Sequence, residues 1–308
     1  MVLNSPNLIV ILGPTASGKT SVAANLSKAI GGEVISADSR QVYRQLNLGT
    51  GKDYEDYLVD GQAVAYHLID IKPPGYQYNV YEFQQDFLQV FKEIILRQKM
   101  PILCGGSGLY IEAAIKGYKL IQVPVNEFLR KELESKSLEE LSVILAKYKN
   151  LHNVSDVDTV KRAIRAIEIE EYYLHNKPAE DNYPVIKPLL VGVRFDRGVE
   201  RQRITERLKQ RLELGMIEEV KQLLHEGITP EQLVYYGLEY KFVTLYITGQ
   251  IDYTEMFSQL NTAIHQFAKR QMTWFRRMER SGMKIHWLEG HMPMEQKIEK
   301  IKLLLAQS

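Results

Sequence analysis

Two kinds of apolar pattern alternate along the first third of the chain. Residues 1–12 end in a continuous run, Leu8-Ile9-Val10-Ile11-Leu12, of the kind a strand buried on both faces requires. Residues 21–30 then have helical character, and Gly31-Gly32 ends them. Residues 33–36 predict a second strand, 49–52 a loop and 67–70 a short strand. Phe83, Phe87, Val90, Phe91 and Ile94 recur at helical spacing and predict a helix over 81–98. A further buried strand over 100–104 runs into Gly105-Gly106-Ser107-Gly108. Strand and helix in alternation predict an α/β core with a parallel sheet flanked by helices.

The pattern changes near residue 115. Residues 127–149 and 156–173 are charged and helical without strand alternation, and 176–188 holds three prolines and reads as a connection. Residues 188–194 read as a strand returning to the sheet. Amphipathic helices follow over 197–213, 215–225, 253–280 and 294–305. The expected organisation is a core built from 1–114 and 188–308, with a helical insertion over 115–187 and a helical C-terminal part.

Composition narrows the setting. At 308 residues, 45% hydrophobic and 25% charged, the chain has the balance of a soluble globular protein. No apolar stretch approaches the roughly 18 residues that span a bilayer, and no signal-peptide pattern opens the chain. The single cysteine, Cys104, excludes an internal disulfide and a cysteine zinc site, which fits the cytoplasm. A net charge of +1 announces no nucleic acid, but its distribution is uneven. Residues 194–211 carry seven Lys/Arg against three acids, and residues 265–286 carry six against one. On a helical wheel Lys269, Arg276 and Arg280 nearly superimpose, with Arg270 and Arg277 about 90° away. Phe267, Trp274, Phe275 and Met278 fall opposite. Such a face is either solvated or, with Lys161, Arg162 and Arg165, a track for phosphates.

The first candidate chemistry is Gly13-Pro14-Thr15-Ala16-Ser17-Gly18-Lys19-Thr20, which fits G-x-x-x-x-G-K-[ST] between a strand and a helix. Its glycines let backbone N–H groups converge on an anion, and the helix dipole adds to the field. Lys19 would reach an outer phosphate, and the Thr20 hydroxyl would complete a Mg²⁺ shell. Asp38 follows the second strand, at the sheet rim where ligands of open α/β sheets sit. The residues alone leave it open between a site acid and a helix N-cap. The chain has neither an N-K-x-D guanine reader nor a D-x-x-G switch nor an obvious Walker B strand. That argues against regulatory GTPases and motor ATPases, and leaves kinases and transferases that hold a pyrophosphate.

Five segments then carry a resemblance to the tRNA dimethylallyltransferase family: GPTASGKT (13–20), ISADSRQVY (35–43), PILCGGSGLY (101–110), KRAIRAIE (161–168) and AKRQMTWFR (268–276). They occur in the family's order and extend the resemblance from residue 8 to about 288. The resemblance implies transfer of dimethylallyl from its pyrophosphate to N6 of adenosine 37, in tRNAs reading codons that start with U. The P-loop ligand would be the prenyl pyrophosphate rather than the ATP its motif suggests, with Mg²⁺ as cofactor. The partner would be the tRNA anticodon stem-loop, and the protein a monomer. The family's roles make Asp38 the base on N6, put Ser107 (usually threonine) at the nucleotide or pyrophosphate, and make Arg207 a pyrophosphate clamp. With Lys19, these are the expected catalytic residues. Contact with tRNA is implied for Asp38, Ser39, Arg40, Gln41, Ser107 and Arg130. The same holds for Lys161, Arg162, Ala163, Ile164 and Arg165, and the cationic face adds Lys269, Arg270 and Arg276. A surface ion pair is the alternative for Arg207, and a solvated helix face for Arg130.

The chain also departs from the family. Arg40 stands where methionine is usual, and Thr50-Gly51-Lys52-Asp53 replaces Thr-Ala-Lys-Pro. Gly237-Leu238-Glu239-Tyr240 replaces Gly-Tyr-Arg-Gln, exchanging a cation for an acid. Competing readings are a P-loop kinase acting on a small metabolite and an adenylate prenyltransferase acting on free AMP or ATP.

Overall fold

Leu8–Leu12 forms β1, and all five residues are buried. In the computed structural model, which describes residues 5–148, 159–176 and 183–308, β1 is an inner strand of a six-stranded sheet. Chain order continues through α1 (Lys19–Ile30), β2 (Glu33–Ser36) and an antiparallel hairpin of β3 (Leu58–Val59) and β4 (Gln62–Ala63). Then come β5 (Tyr66–His67), α2 (Val80–Leu96), β6 (Pro101–Gly105) and α3 (Gly108–Lys116). Phe83, Phe87, Phe91 and Ile94 of α2 are buried, as their spacing predicts, and Phe83 stacks on Tyr110 with ring centroids 4.3 Å apart.

Residues 118–184 form a separate helical unit. It contains α4 (Glu127–Glu134), α5 (Leu138–Ala146) and α6 (Val160–His175). The helical reach expected over 127–149 is therefore two helices. Ser137 caps α5 in a capping box with Glu140, which competes with continuation of α4. Its core gathers Leu133, Leu141, Leu145, Ala163, Ile164, Ala166 and Ile167. The expected strand over 1–12, the helices over 127–149 and 156–173 and the connection over 176–188 each extend partly outside the described residues.

The other unit resumes with β7 (Pro188–Arg194) and continues through α7 (Arg197–Glu213), α8 (Met216–His225), α9 (Pro230–Tyr235) and α10 (Leu238–Ile247). It closes with α11 (Tyr253–Arg280), β8 (Ile285–Glu289) and α12 (Met294–Gln307). The sheet order is β5-β2-β6-β1-β7-β8, and every pairing is parallel. The strand at 285–289 is not among those the pattern predicts; there β8 pairs with β7 (Leu190↔Ile285 to Arg194↔Glu289).

Register explains where the site forms. Leu12 lies level with Gly105, and Ser36 level with Cys104, so β1, β2 and β6 end together. Three loops therefore leave the same edge of the sheet: residues 13–18, the turn after β2, and Gly106-Ser107.

Candidate active site

The loop between β1 and α1 places Lys19 at the first position of the helix. Lys19 is half-buried and donates to the Pro14 carbonyl at 3.3 Å. Burial lowers its pKa, while Cys104 and Asp38 push it up and Arg207 pushes it down. The ammonium is thus held where charge is costly, and among the described residues no carboxylate forms an ion pair with it. An arriving anion would relieve that cost. Ser17, 3% exposed, has a buried hydroxyl with no partner among the described residues. Cys104 lies close by, its thiol pushed up to about 12 by burial despite the nearby Lys19 ammonium.

Asp38 is half-buried and is no helix cap. Its Oδ1 accepts the Arg40 N–H at 2.9 Å, closing a turn at the end of β2. Ser39 N–H points at Ser107 Oγ, 3.4 Å away across the sheet edge. Ser107 sits just ahead of α3 but makes no side-chain cap, so its hydroxyl is turned to the site. Arg40 lies 4.8 Å over the Tyr235 ring. Gln41 is used inside the fold, between Ser36 Oγ at 3.0 Å and the Gly51 carbonyl at 3.0 Å.

Helix α7 supplies arginines at i and i+4. Arg203 Nε donates to the Ala16 carbonyl of the loop at 3.0 Å and stacks over Phe195. Arg207 pairs with Asp53, not with Glu206 or Glu213. The mutual influence of Lys19, Asp38, Arg207 and Asp53 puts all four in one electrostatic neighbourhood. Asp56 adjoins it, its carboxyl pushed up to about 6 by burial and by Asp53, against Arg207 and Lys19.

Gln271 on α11 has no signal in the sequence pattern. Its Oε1 accepts the Thr15 N–H at 2.9 Å and its Nε2 donates to the Gly106 carbonyl at 3.0 Å, tying two of the three loops together. A Cβ at Gly106 would fall 2.3 Å from Gln271 Nε2 and 3.2 Å from the Gly13 carbonyl, so a larger residue there would displace the Gln271 amide from both loops. Gln271→Leu fills similar volume but leaves the Thr15 N–H and the Gly106 carbonyl unpaired. The expected result is about 10-fold weaker pyrophosphate binding, with tRNA affinity nearly unchanged, measured by calorimetry and tRNA titration.

The cationic helix face is partly as predicted. Lys269, Arg270, Arg276 and Arg280 of α11 are exposed, and Phe275 and Met278 are buried. Phe267 departs from the expectation. It is 38% exposed, with Arg270 lying 6.0 Å over its ring. Arg277 is taken inward by the buried Glu112 and stacks 3.9 Å over Trp274.

In the helical unit, Lys161 and Arg162 are exposed. Ala163 and Ile164, expected at a tRNA interface, are instead buried in that unit's core, because α6 turns this stripe toward α4 and α5. Arg130 is not a plain solvated side chain. It grips the buried Glu168 through Nε–Oε1 at 3.0 Å and Nη2–Oε2 at 2.9 Å, and Arg165 pairs with the same carboxylate. Burial raises the Glu168 pKa, but Arg130, the Asn126 N–H and Arg165 outweigh it and the net shift is downward. Among the described residues no group of three His, Cys, Asp or Glu could hold a metal, and no helix is long and apolar enough to cross a membrane.

The IPP transferase family model matches residues 41–278, and the isopentenyl transferase model matches residues 6–66. A tRNA dimethylallyltransferase 2 of Bacteroides fragilis (strain YCH46) is 58% identical over 307 residues, covering 100% of both chains. The solved tRNA isopentenylpyrophosphate transferase of Bacillus halodurans is 33% identical, with a TM-score of 0.71 over 98% of this chain and 96% of that one. A eukaryotic dimethylallyltransferase acting on tRNA shares the fold at 23% identity, with a TM-score of 0.74 over 93% of this chain and 74% of that one.

Proposed function

This chain belongs to the IPP transferase family and is a tRNA dimethylallyltransferase, and from that premise we propose how its residues perform the transfer. The reaction forms a bond from adenosine N6 to C1 of the dimethylallyl group and breaks the C1–O bond to pyrophosphate. One N6 proton is lost. The acceptor is adenosine 37 of tRNAs reading codons that start with U, and the reaction runs in the cytoplasm.

The observation that carries the assignment is the common edge of β1, β2 and β6, which brings the phosphate loop, Asp38 and Ser107 together. Residues 13–20 hold the pyrophosphate through backbone N–H groups, and Lys19 and Arg207 stabilise the negative charge that grows on it. Asp38 has one carboxylate oxygen engaged by the Arg40 N–H, and the other takes the N6 proton. Ser107 orients the nucleotide or the pyrophosphate by a hydrogen bond. Ser39, Arg40 and Gln41 form the turn beside the target base. Arg40 and Gln41 do so while bound to Tyr235 and to Gly51.

The site suits Mg²⁺ in a limited way. The Thr20 hydroxyl stands at the start of α1, and among the described residues no cluster of carboxylates surrounds it. Mg²⁺ keeps water and takes phosphate oxygens, so one protein ligand suffices. When bound it would neutralise charge on the leaving pyrophosphate. Lys269, Arg270 and Arg276 on one unit, and Lys161, Arg162, Arg165 and Arg130 on the other, carry the tRNA phosphates. Arg130 and Arg165 do so from their shared hold on Glu168.

The test compares acceptors for labelled dimethylallyl pyrophosphate with Mg²⁺: unmodified tRNA with adenosines at positions 36 to 38, free AMP, and no acceptor. Label in tRNA alone is expected. Label in AMP alone would assign a small-molecule prenyltransferase. No transfer, with ATP consumed on a metabolite, would assign a kinase.

A further inference from the structure

We propose that Arg211 is a second guanidinium of the pyrophosphate site beside Arg207, and that Asp53 occupies the anion position between them until pyrophosphate displaces it. The inference rests on the reading of residues 13–20 as the pyrophosphate loop. Arg203, Arg207 and Arg211 follow one another at four-residue intervals and so share one side of α7. Arg203 already reaches the loop at Ala16. Arg211 continues the row.

Its surroundings are unusual for an arginine. The side chain is only 11% exposed, and its only ion-pair partners among the described residues are Asp53 and Glu239, each 3.9 Å away. No hydrogen bond reaches its five N–H donors among the described residues. None of its nitrogens is among the fully buried unpaired polar atoms, so the donors that no protein acceptor fills stay open to an anion from solvent. Burial lowers the Arg211 pKa to about 10, Arg207 adds to that, and Glu239 and Asp53 oppose it. Glu239, where the family usually has arginine, supplies a counter-charge 3.9 Å from Arg211 Nη1. A cation is thus present near that position, but it comes from α7.

Asp53 marks the anion position. Its Oδ2 pairs with Arg207 and its Oδ1 faces Arg211, so one carboxylate is bracketed by two guanidiniums as a phosphate would be. Asp53 is 47% exposed, so an incoming anion can turn its carboxylate out toward solvent. The loop beneath is fixed. Lys52 is buried and binds the Tyr43 carbonyl, Asn47 and Asp70, while Glu219 accepts the N–H groups of Asn47, Leu48 and Gly49. Gly51 yields its side-chain space to the pair. At φ +69°, a Cβ there would lie 1.9 Å from Arg211 Nη2 and 3.1 Å from Arg207 Nη2.

The experiment is calorimetric titration of inorganic pyrophosphate with Mg²⁺ into the full-length wild type, Arg211→Gln and Asp53→Asn. KM values for dimethylallyl pyrophosphate and for tRNA are measured on the same proteins. Arg211→Gln is expected to weaken pyrophosphate binding about 10- to 100-fold and to raise KM for the prenyl donor in step, leaving KM for tRNA unchanged. Asp53→Asn removes the competing carboxylate from an exposed position and is expected to tighten pyrophosphate several-fold. A merely structural role predicts no tightening. Wild-type affinity in Arg211→Gln, or weaker binding in Asp53→Asn, would overturn the inference while transfer by the wild type left the function standing. Absence of transfer by the wild type would instead remove the functional reading. Should Arg211→Gln fail to fold, Arg211→Lys replaces it, with an intermediate loss expected and wild-type affinity counting against the inference.

Discussion

Asp38→Asn is expected to lower single-turnover transfer to tRNA by about 10³-fold, in the range lost when a positioned general base is removed. Binding of the prenyl pyrophosphate should stay within about 3-fold of wild type, because the groups proposed to bind it are the backbone of residues 13–18, Lys19 and the arginines of α7. Asparagine is the informative replacement. Its carbonyl oxygen can still accept the Arg40 N–H that closes the turn after β2, so the backbone beside the target base is kept and only the proton acceptor is lost. Near-normal turnover in this variant would move the proton to another group. Asp56, whose carboxyl titrates near 6, would be the first to examine. Loss of pyrophosphate affinity in parallel with turnover would mean that the variant had disturbed the loop rather than the chemistry.

Chain pattern made much of this site legible, and the reason is local. β1, β6 and β7 are continuous apolar runs because both sheet faces are covered, and the loops that follow β1, β2 and β6 carry small or acidic residues in place of such a run. Elements that depend on long-range pairing were not legible. β8 has only five residues and directly follows a 28-residue helix, so its parallel pairing with β7 has no local signature. Gln271 was missed for a similar reason. A glutamine among the cations of α11 reads as one more polar residue, and only the fold brings Thr15 to its Oε1 across 256 residues of sequence. Arg130 looks like a solvated charge until α4 and α6 bring it onto Glu168, 38 residues away. In each case the missing information was a partner remote in the chain.

Lys269→Glu, Arg270→Glu and Arg276→Glu combined should raise the tRNA dissociation constant by about 10²-fold or more at moderate salt, and should flatten its salt dependence. Each cation that neutralises a phosphate adds about 0.7 to 0.9 to the slope of log K against log salt, so losing three lowers the slope by about 2 to 3. All three side chains are exposed, and none carries the buried contacts of α11, which belong to Met256, Leu260, Ile264, Ala268, Gln271, Phe275 and Met278. Stability and pyrophosphate affinity should therefore be retained. Filter binding across a salt series, with pyrophosphate calorimetry alongside, reads both quantities. An unchanged slope would make this a solvated face and leave tRNA binding to other residues. The expected result carries a mechanical consequence, since residues 269 and 271 lie about 200° apart on the helical wheel. One face of α11 would then hold RNA phosphates while Gln271 on the other face holds the loop that grips pyrophosphate. A single rigid helix would thus register the acceptor against the donor.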